Sequence, residues 1–420
     1  MKKYILTGAL ALCAMAGAQA QTDIFVTGAT AFRGGFSNAM NNTTVGFFVG
    51  GPATSAVDVT PKTATIAKFG VWTGNVTGIT GLVRVYASFS GSVEGIRDLT
   101  TGNTTTPFFP ASIATAGGNV SVTAGNATLL SASDFAFSDA FQASTPYKTP
   151  LLINNNAGIL PFVMVTNENA PAGFTNVLAN QFSTLFKVGY LKLSVFTGNF
   201  SHDTTQVFAT GRYDLSGTRI IYLAETGSGI GTPLSQYKPI GNNTTVTALR
   251  LWPTGDGLNA STVDQPGNGG WEGSSSVRNF MGSNTSAVEI QYEDSARNDD
   301  FPNATYNTLM LSSVGSGDVA TIVSTGGKAL AYNGGLYASG AGGTITADDN
   351  ARVYNGAYTL WGYEHLYNLS TLSGPKLTAR ARLLTNFDNP SILGTNGLRV
   401  SLMKVSRSVD GGPVTPIAQF

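Results

Sequence analysis

The chain has 420 residues, with 24 Lys and Arg set against 24 Asp and Glu, so its formal net charge is zero. That balance excludes a general electrostatic attraction to nucleic acid. Charged residues make up 11% of the chain, against roughly a quarter in ordinary soluble proteins, and 42% is hydrophobic, enough for a core and an argument against disorder. A surface of Asn, Thr, Ser and Gly replaces the usual charges, so an anion must be held by local dipoles and one or two cations, with weak salt dependence.

At the start, Met1-Lys2-Lys3, the apolar run from Tyr4 to Gly17 and the triplet Ala18-Gln19-Ala20 read as a signal peptide over residues 1–20. The run is too short to span a bilayer, cleavage is expected after Ala20, and the expected destination is the periplasm or the exterior. Cys13 follows Ala11-Leu12 inside this run, where lipoprotein processing needs a small residue immediately before the cysteine, so no lipid anchor is expected. The mature chain would then carry 22 basic and 24 acidic residues and no cysteine. Without disulfides it must rely on a large core.

Further along, Asp23 to Thr27 predicts a short strand running into Gly28-Ala29-Thr30. A second strand over 81–87 precedes the hydroxyl- and glycine-rich turn Ser88-Phe89-Ser90-Gly91-Ser92 and a helix over 94–99. A third, Phe135-Ala136-Phe137, ends in Ser138-Asp139. Residues 149–162, with Asn154-Asn155-Asn156 and Pro161, fit a crossing loop that leads into a strand over 161–165. A helix is expected over 176–186 and a strand over 191–196, and the alternation argues for an α/β chain. A strand over 206–210 leads into Arg212-Tyr213-Asp214-Leu215-Ser216-Gly217-Thr218. That stretch reads as an oxyanion cradle: Arg212 offers a planar fork, Ser216 and Thr218 donate, and Gly217 lets the backbone approach. If Ser216 opens a helix, the free amides of its first turn join the same site, at a strand-to-helix junction where open α/β sheets bind ligands. The same letters also describe an ordinary helix cap beside a surface arginine.

In their order, the turns Gly28-Ala29-Thr30-Ala31-Phe32, Ser90-Gly91-Ser92-Val93-Glu94-Gly95-Ile96, Ser138-Asp139-Ala140 and Arg212 to Thr218 resemble four ligand-contacting loops. These are the loops of the phosphate-binding proteins of ABC transporters and their DING-type relatives, with patterns GA-T/S-F, S-G-S/G-x-x-G-I, S-D-A and R-x-x-x-S-G-T. Pro161 to Val165 and Leu178 to Gly189 resemble that family's strand into the second lobe and its helix with an L/IF-x-G stop. The chain departs from the pattern at Thr30-Ala31-Phe32, where the Thr-Phe pair is split, and at Arg33, where small or proline residues are usual.

The resemblance implies an α/β, two-lobed type II periplasmic-binding-protein fold with the ligand cleft between the lobes. Its lobes would comprise 21–155, then 156–355 with loop insertions, then 356–420 returning to the first, the return crossing falling near 354–363. It implies a monomeric solute-binding protein, without cofactor, that captures inorganic phosphate or a related oxyanion for an ABC transporter permease. The residues it implicates in ligand binding are Thr30, Ser90, Ser92, Ser138, Asp139, Arg212, Ser216, Gly217 and Thr218. In that family the aspartate matching Asp139 accepts the remaining proton of hydrogen phosphate, which favours a ligand carrying an OH and repels sulfate. Taken alone, Asp139 also fits a helix cap. The Gly-, Asn- and Thr-rich stretch 242–350 matches no pattern.

Catalytic and metal sites are not expected. His202 and His365 are the only histidines, and Glu364-His365 lacks zinc-protease spacing. His365 belongs more naturally to an aromatic cluster with Trp361, Tyr363 and Tyr367. Ser92 does not sit in a GxSxG elbow, and Gly227-Ser228-Gly229-Ile230-Gly231 lacks a P-loop lysine and suits a helix C-terminal turn. Glu293, Asp294, Asp299 and Asp300 read as a solvated loop. Two function classes remain: an oxyanion-binding transport protein, and a cell-surface or matrix protein that keeps the lobed fold without a transport ligand. Convergence of Thr30, Ser90, Asp139, Arg212 and Ser216 on one cleft separates them.

Overall fold

A computed structural model of the protein describes residues 21–59, 66–116, 120–121, 123–252, 266–291, 305–394 and 397–417. The expected signal peptide with Cys13, and the acidic run Glu293, Asp294, Asp299 and Asp300, lie outside the described residues.

The first sheet is built on β1 (Thr22–Gly28), where Ile24 and Val26 are fully buried and Phe25 is half-buried. Downstream of it come α1 (Arg33–Asn41), β2 (Thr54–Val59), β3 (Ile66–Gly74), β4 (Val83–Ser88), α2 (Ser92–Thr101) and β5 (Phe135–Ser138). β4 and β5 both pair parallel with β1, one on each side. β3 and β2 extend the sheet antiparallel beyond β4. Strand order therefore reverses at β1, and the loops leaving β1, β4 and β5 emerge at the same end of the sheet. That is the topological switch point where α/β sheets hold ligands.

The strand β6 (Ile153–Thr166) joins this sheet to a second one. Its first part, through Pro161, pairs antiparallel with β14 (Trp361–Asn368), which in turn pairs antiparallel with β5. From Phe162 onward its partners are β12 (Thr305–Gly315) and β13 (Lys328–Tyr332). Pro161 stands where the partners change, the position in a ladder where a residue without an N–H is least costly. Asn154, Asn155 and Asn156 are thus ladder residues, where a loop was expected. Their low strand propensity is overridden by pairing with Tyr367, Leu366 and His365.

In the second sheet, β9 (Tyr237–Gly241), β10 (Val246–Leu251) and β11 (Val288–Gln291) pair in turn and join the start of β12. β12 also pairs parallel with β8 (Thr205–Ala209), and β7 (Tyr190–Lys192) lies antiparallel on the far side of β8. The expected strand over 191–196 is therefore shortened, because Ser194–Thr197 turns into a helical turn stopped by Gly198. Two longer helices flank this sheet. α3 (Ala179–Val188) begins three residues later than expected, after a two-residue strand Asn176–Val177, and stops at Gly189, whose φ of 103° favours glycine. α4 (Gly217–Glu225) follows β8, as the Ser216-Gly217 junction implied.

The architecture is thus an α/β fold of two lobes, each with its own sheet, linked by β6 and by the return into β14. Aromatic side chains fill both interiors. Phe32 and Phe36 meet Phe137 at 5.2 and 5.6 Å, with Phe387 of α5 (Pro375–Phe387) closing the group at 4.9 Å from Phe32. Phe182, Phe186 and Tyr222 pack α3 against α4. Each such ring contributes about 1.5–3 kcal/mol by burial, so the loops that carry the polar junction stand on rigid supports. His365 lies in the aromatic group foreseen for it, 5.8 Å from Tyr363 and 5.3 Å from Tyr367, with Phe141 at 4.4 Å. No helix among the described residues is long and apolar enough to cross a membrane.

Candidate functional site

Four strand ends feed one polar junction between the lobes. From β1, Phe32 is fully buried and pins the short helical turn Thr30–Phe32, which places Thr30 at the interface. From β4, Gly91 precedes α2, so Ser92 sits in the first turn of that helix. From β5 comes Asp139, and from β8 come Arg212 and the N-terminus of α4.

The central link is a relay through Thr218. Arg212 Nη1 donates to Thr218 Oγ1 at 3.0 Å, and Thr218 Oγ1 donates to Asp139 Oδ2 at 3.2 Å. Ser92 Oγ donates to the other carboxylate oxygen of Asp139. Arg212 Nη2 reaches Thr30 Oγ1 at 3.4 Å and the Glu272 carbonyl at 2.6 Å, and its Nε donates to the Trp271 carbonyl at 3.1 Å. Thr30, Ser92 and Asp139 belong to the first lobe; Arg212 and Thr218 belong to the second. Gly217 has a steric role here, since a Cβ on it would collide with Asp139 Oδ1 and Ser92 Oγ.

The remaining sequence-implicated residues behave differently. Ser138 Oγ turns back to the Ala140 carbonyl at 2.9 Å, fixing the Ser-Asp turn rather than entering the network. Ser216 Oγ caps α4 by accepting from Arg219 N at 3.4 Å. Tyr213 Oη lies 3.1 Å from both the Ser90 carbonyl and Glu94 Oε2, its single proton shared between the two acceptors. A backbone bond from Val93 N to Leu215 O, 3.2 Å, ties the same two loops across the interface. Asp139 is not a helix cap: its carboxylate is engaged by Ser92 and Thr218, and the short helical turn that follows starts after Phe141.

Electrostatically the junction combines two helix N-termini, those of α2 and α4, with a buried guanidinium. Burial raises the Asp139 carboxyl above its usual range, opposed by the Ser92 hydroxyl and by the charge of Arg212. Burial likewise lowers Arg212 from its ordinary value. Among the described residues no carboxylate lies within ion-pair distance of Arg212; its bonds go to two hydroxyls and two carbonyls. The backbone acceptors at Trp271 and Glu272 carried no sequence signal, because any residue supplies a carbonyl. Behind the junction, Glu364 on β14 is fully buried, and burial with the nearby Asp139 pushes its carboxyl well above the usual range. His365 beside it is pushed down to about 3 by burial. No group of three or more His, Cys, Asp and Glu side chains among the described residues could hold a metal ion.

These features define a two-lobed α/β architecture with a polar junction at its switch point. No family model and no curated protein matches the chain in sequence. Solved structures do match in shape. An ABC-type phosphate transport receptor from Vibrio cholerae is 12% identical with a TM-score of 0.42, over 90% of this chain and 99% of that one. PstS from Borrelia burgdorferi is 9% identical with a TM-score of 0.37, over 90% of this chain and 100% of that one. The periplasmic phosphate-binding protein PfluDING, solved with phosphate, is 12% identical with a TM-score of 0.37, over 91% and 92%.

Proposed function

We propose that this chain is an extracytoplasmic solute-binding protein that captures phosphate or a related tetrahedral oxyanion at the lobe junction and delivers it to an ABC transporter. One observation carries the reading: Thr30, Ser92, Asp139, Arg212 and Thr218, from four loops distant in sequence, join one hydrogen-bonded network across two lobes. A structural clasp needs no such mixture of a desolvated cation, hydroxyl donors and two helix N-termini, whereas a tetrahedral anion uses all of them.

Opening the lobes about β6 and the segment before β14 separates Arg212, Gly217 and Thr218 from Thr30, Ser92 and Asp139. The anion enters between them. It takes the fork of Arg212, the hydroxyls of Ser92, Thr218 and Thr30, and the α2 and α4 amides, while Asp139 accepts a proton the ligand carries. In this reading the lobes comprise 21–155 with 356–420, and 156–355, the crossing strand β6 leaving the first sheet only after Pro161.

Calorimetric titration of the mature chain with phosphate, arsenate and sulfate tests the reading. Phosphate and arsenate, which carry an OH at neutral pH, are expected to bind, and sulfate to bind at least tenfold more weakly. Absence of heat with all three anions overturns the transport reading and leaves a surface or matrix role.

A further inference from the structure

We propose that Arg33 is a second cation of the same junction and sets its preference for doubly charged anions. The inference deepens the oxyanion reading and rests on it. Arg33 opens α1, directly after the turn held by Phe32, and its Nε donates to the Thr30 carbonyl at 2.9 Å. Arg212 reaches the hydroxyl of that same residue from the opposite lobe. Two guanidinium groups thus approach one threonine, one on its main chain and one on its side chain.

The surroundings leave this second charge available. Burial lowers Arg33 from its ordinary value, and Arg212 acts in the same direction, so the two cations sense each other. The carboxylates that favour its charge are Asp318, Asp58 and Glu272. Asp318 is already paired with Arg278 at 2.8 Å, and Glu272 with Lys68 at 3.2 Å. The two carboxylate oxygens of Asp58 accept the backbone N–H groups of Lys68 and Phe69. No ion pair joins Arg33 to a described carboxylate.

The consequence is a matter of charge. The charge of Arg212 is opposed by the nearby Asp139, so Arg212 alone separates a dianion from a monoanion less strongly than an unopposed cation does. Adding Arg33 gives a net positive site, and the dianion gains more. The ligand class is therefore a tetrahedral oxyanion in its doubly ionised form that still carries one OH.

The test is calorimetric titration of inorganic phosphate into the full mature chain at two pH values, one on each side of the anion's second ionisation. Wild type, Arg33→Gln and Arg33→Lys are compared, with melting curves for each. Arg33→Gln is expected to lose roughly 10- to 100-fold in affinity where the dianion prevails and less than about threefold where the monoanion prevails. Arg33→Lys keeps the charge and is expected to keep the pH dependence while losing less affinity. Equal losses at both pH values, or none, overturn the role of Arg33 while leaving the oxyanion reading intact. No phosphate binding by wild type overturns both.

Discussion

Two buried arginines in this molecule are handled in opposite ways. Arg407, in the C-terminal segment, forms an ion pair with Glu225 at the end of α4 at 3.0 Å. It also donates to the carbonyls of Trp361 and Thr359 and lies 4.2 Å from the centre of the Trp361 ring. Its charge is cancelled by a fixed partner, so it behaves as a fastener between the tail, α4 and β14. Arg212, near the other end of α4, is just as deeply buried but is surrounded by neutral acceptors and reaches Asp139 only through Thr218. A desolvated charge whose nearby carboxylate, Asp139, is reached only through a hydroxyl is costly, and a fold that needs only stability has little use for it. The contrast separates a charge used for structure from one that the proposed function assigns to an incoming anion.

The largest effect sharpening this contrast is expected at Arg407. Arg407→Ala strands Glu225, a buried carboxylate whose pKa burial already raises against the pull of Arg407. Loss of a partner from a buried pair costs about 3–5 kcal/mol, measurable by urea unfolding. Arg212→Ala removes a desolvated charge along with its bonds, so its unfolding free energy is expected to stay within about 1–2 kcal/mol of wild type. Equal destabilisation by the two substitutions would erase the distinction.

A second effect comes from the same C-terminal segment. Asp410 Oδ2 accepts the Phe141 N–H at 2.9 Å, and burial raises its carboxyl from 3.8 to about 7. Between about pH 4 and 7 the folded chain holds a proton that the unfolded chain has released, so this group lowers stability as pH rises through that window. Asp410→Asn removes the dependence and is expected to be more stable than wild type at pH 8, by at most about 4 kcal/mol. At pH 3 the two should coincide. Melting curves across pH check it, and parallel profiles would show that Asp410 is not the group responsible.

A smaller effect is expected at Gly217. The Cβ of Gly217→Ala would fall on Asp139 Oδ1 and 2.7 Å from Ser92 Oγ, so α4 or the Asp139 side chain must move well out of the way. Overpacking of this kind costs about 1–3 kcal/mol. Because the clash exists only when the lobes meet, small-angle scattering should show a more open molecule. Unchanged scattering and affinity would mean that the closed junction is not the binding geometry.

Much of this was legible in sequence, for a physical reason. The junction is assembled from short strands ending in Gly, Ser, Thr and Asp, and both the alternation and the turn chemistry are local signals. Hence β1, β4, β5, β8 and the start of α4 lie where the residues implied. Other features depend on partners far along the chain. Asn154 to Asn156 read as a loop until β14 pairs with them, and 191–196 read as one apolar run until Gly198 stops a helical turn. The pairing of Arg407 with Glu225 spans 182 positions and leaves no local trace. The hydroxyls of Ser138 and Ser216 show the converse limit. Their type fits an anion site, yet one fixes its own turn and the other caps a helix.

The most direct test of the central claim is paired calorimetry of wild type and Arg212→Ala with phosphate at constant ionic strength. Charge-assisted hydrogen bonds from a two-pronged guanidinium are worth about 1.5–3 kcal/mol each, so the variant is expected to lose at least about 100-fold in affinity. Its melting temperature without ligand should stay close to that of wild type. A variant that binds phosphate as tightly as wild type would contradict the claim that the charge of Arg212 is held for the anion.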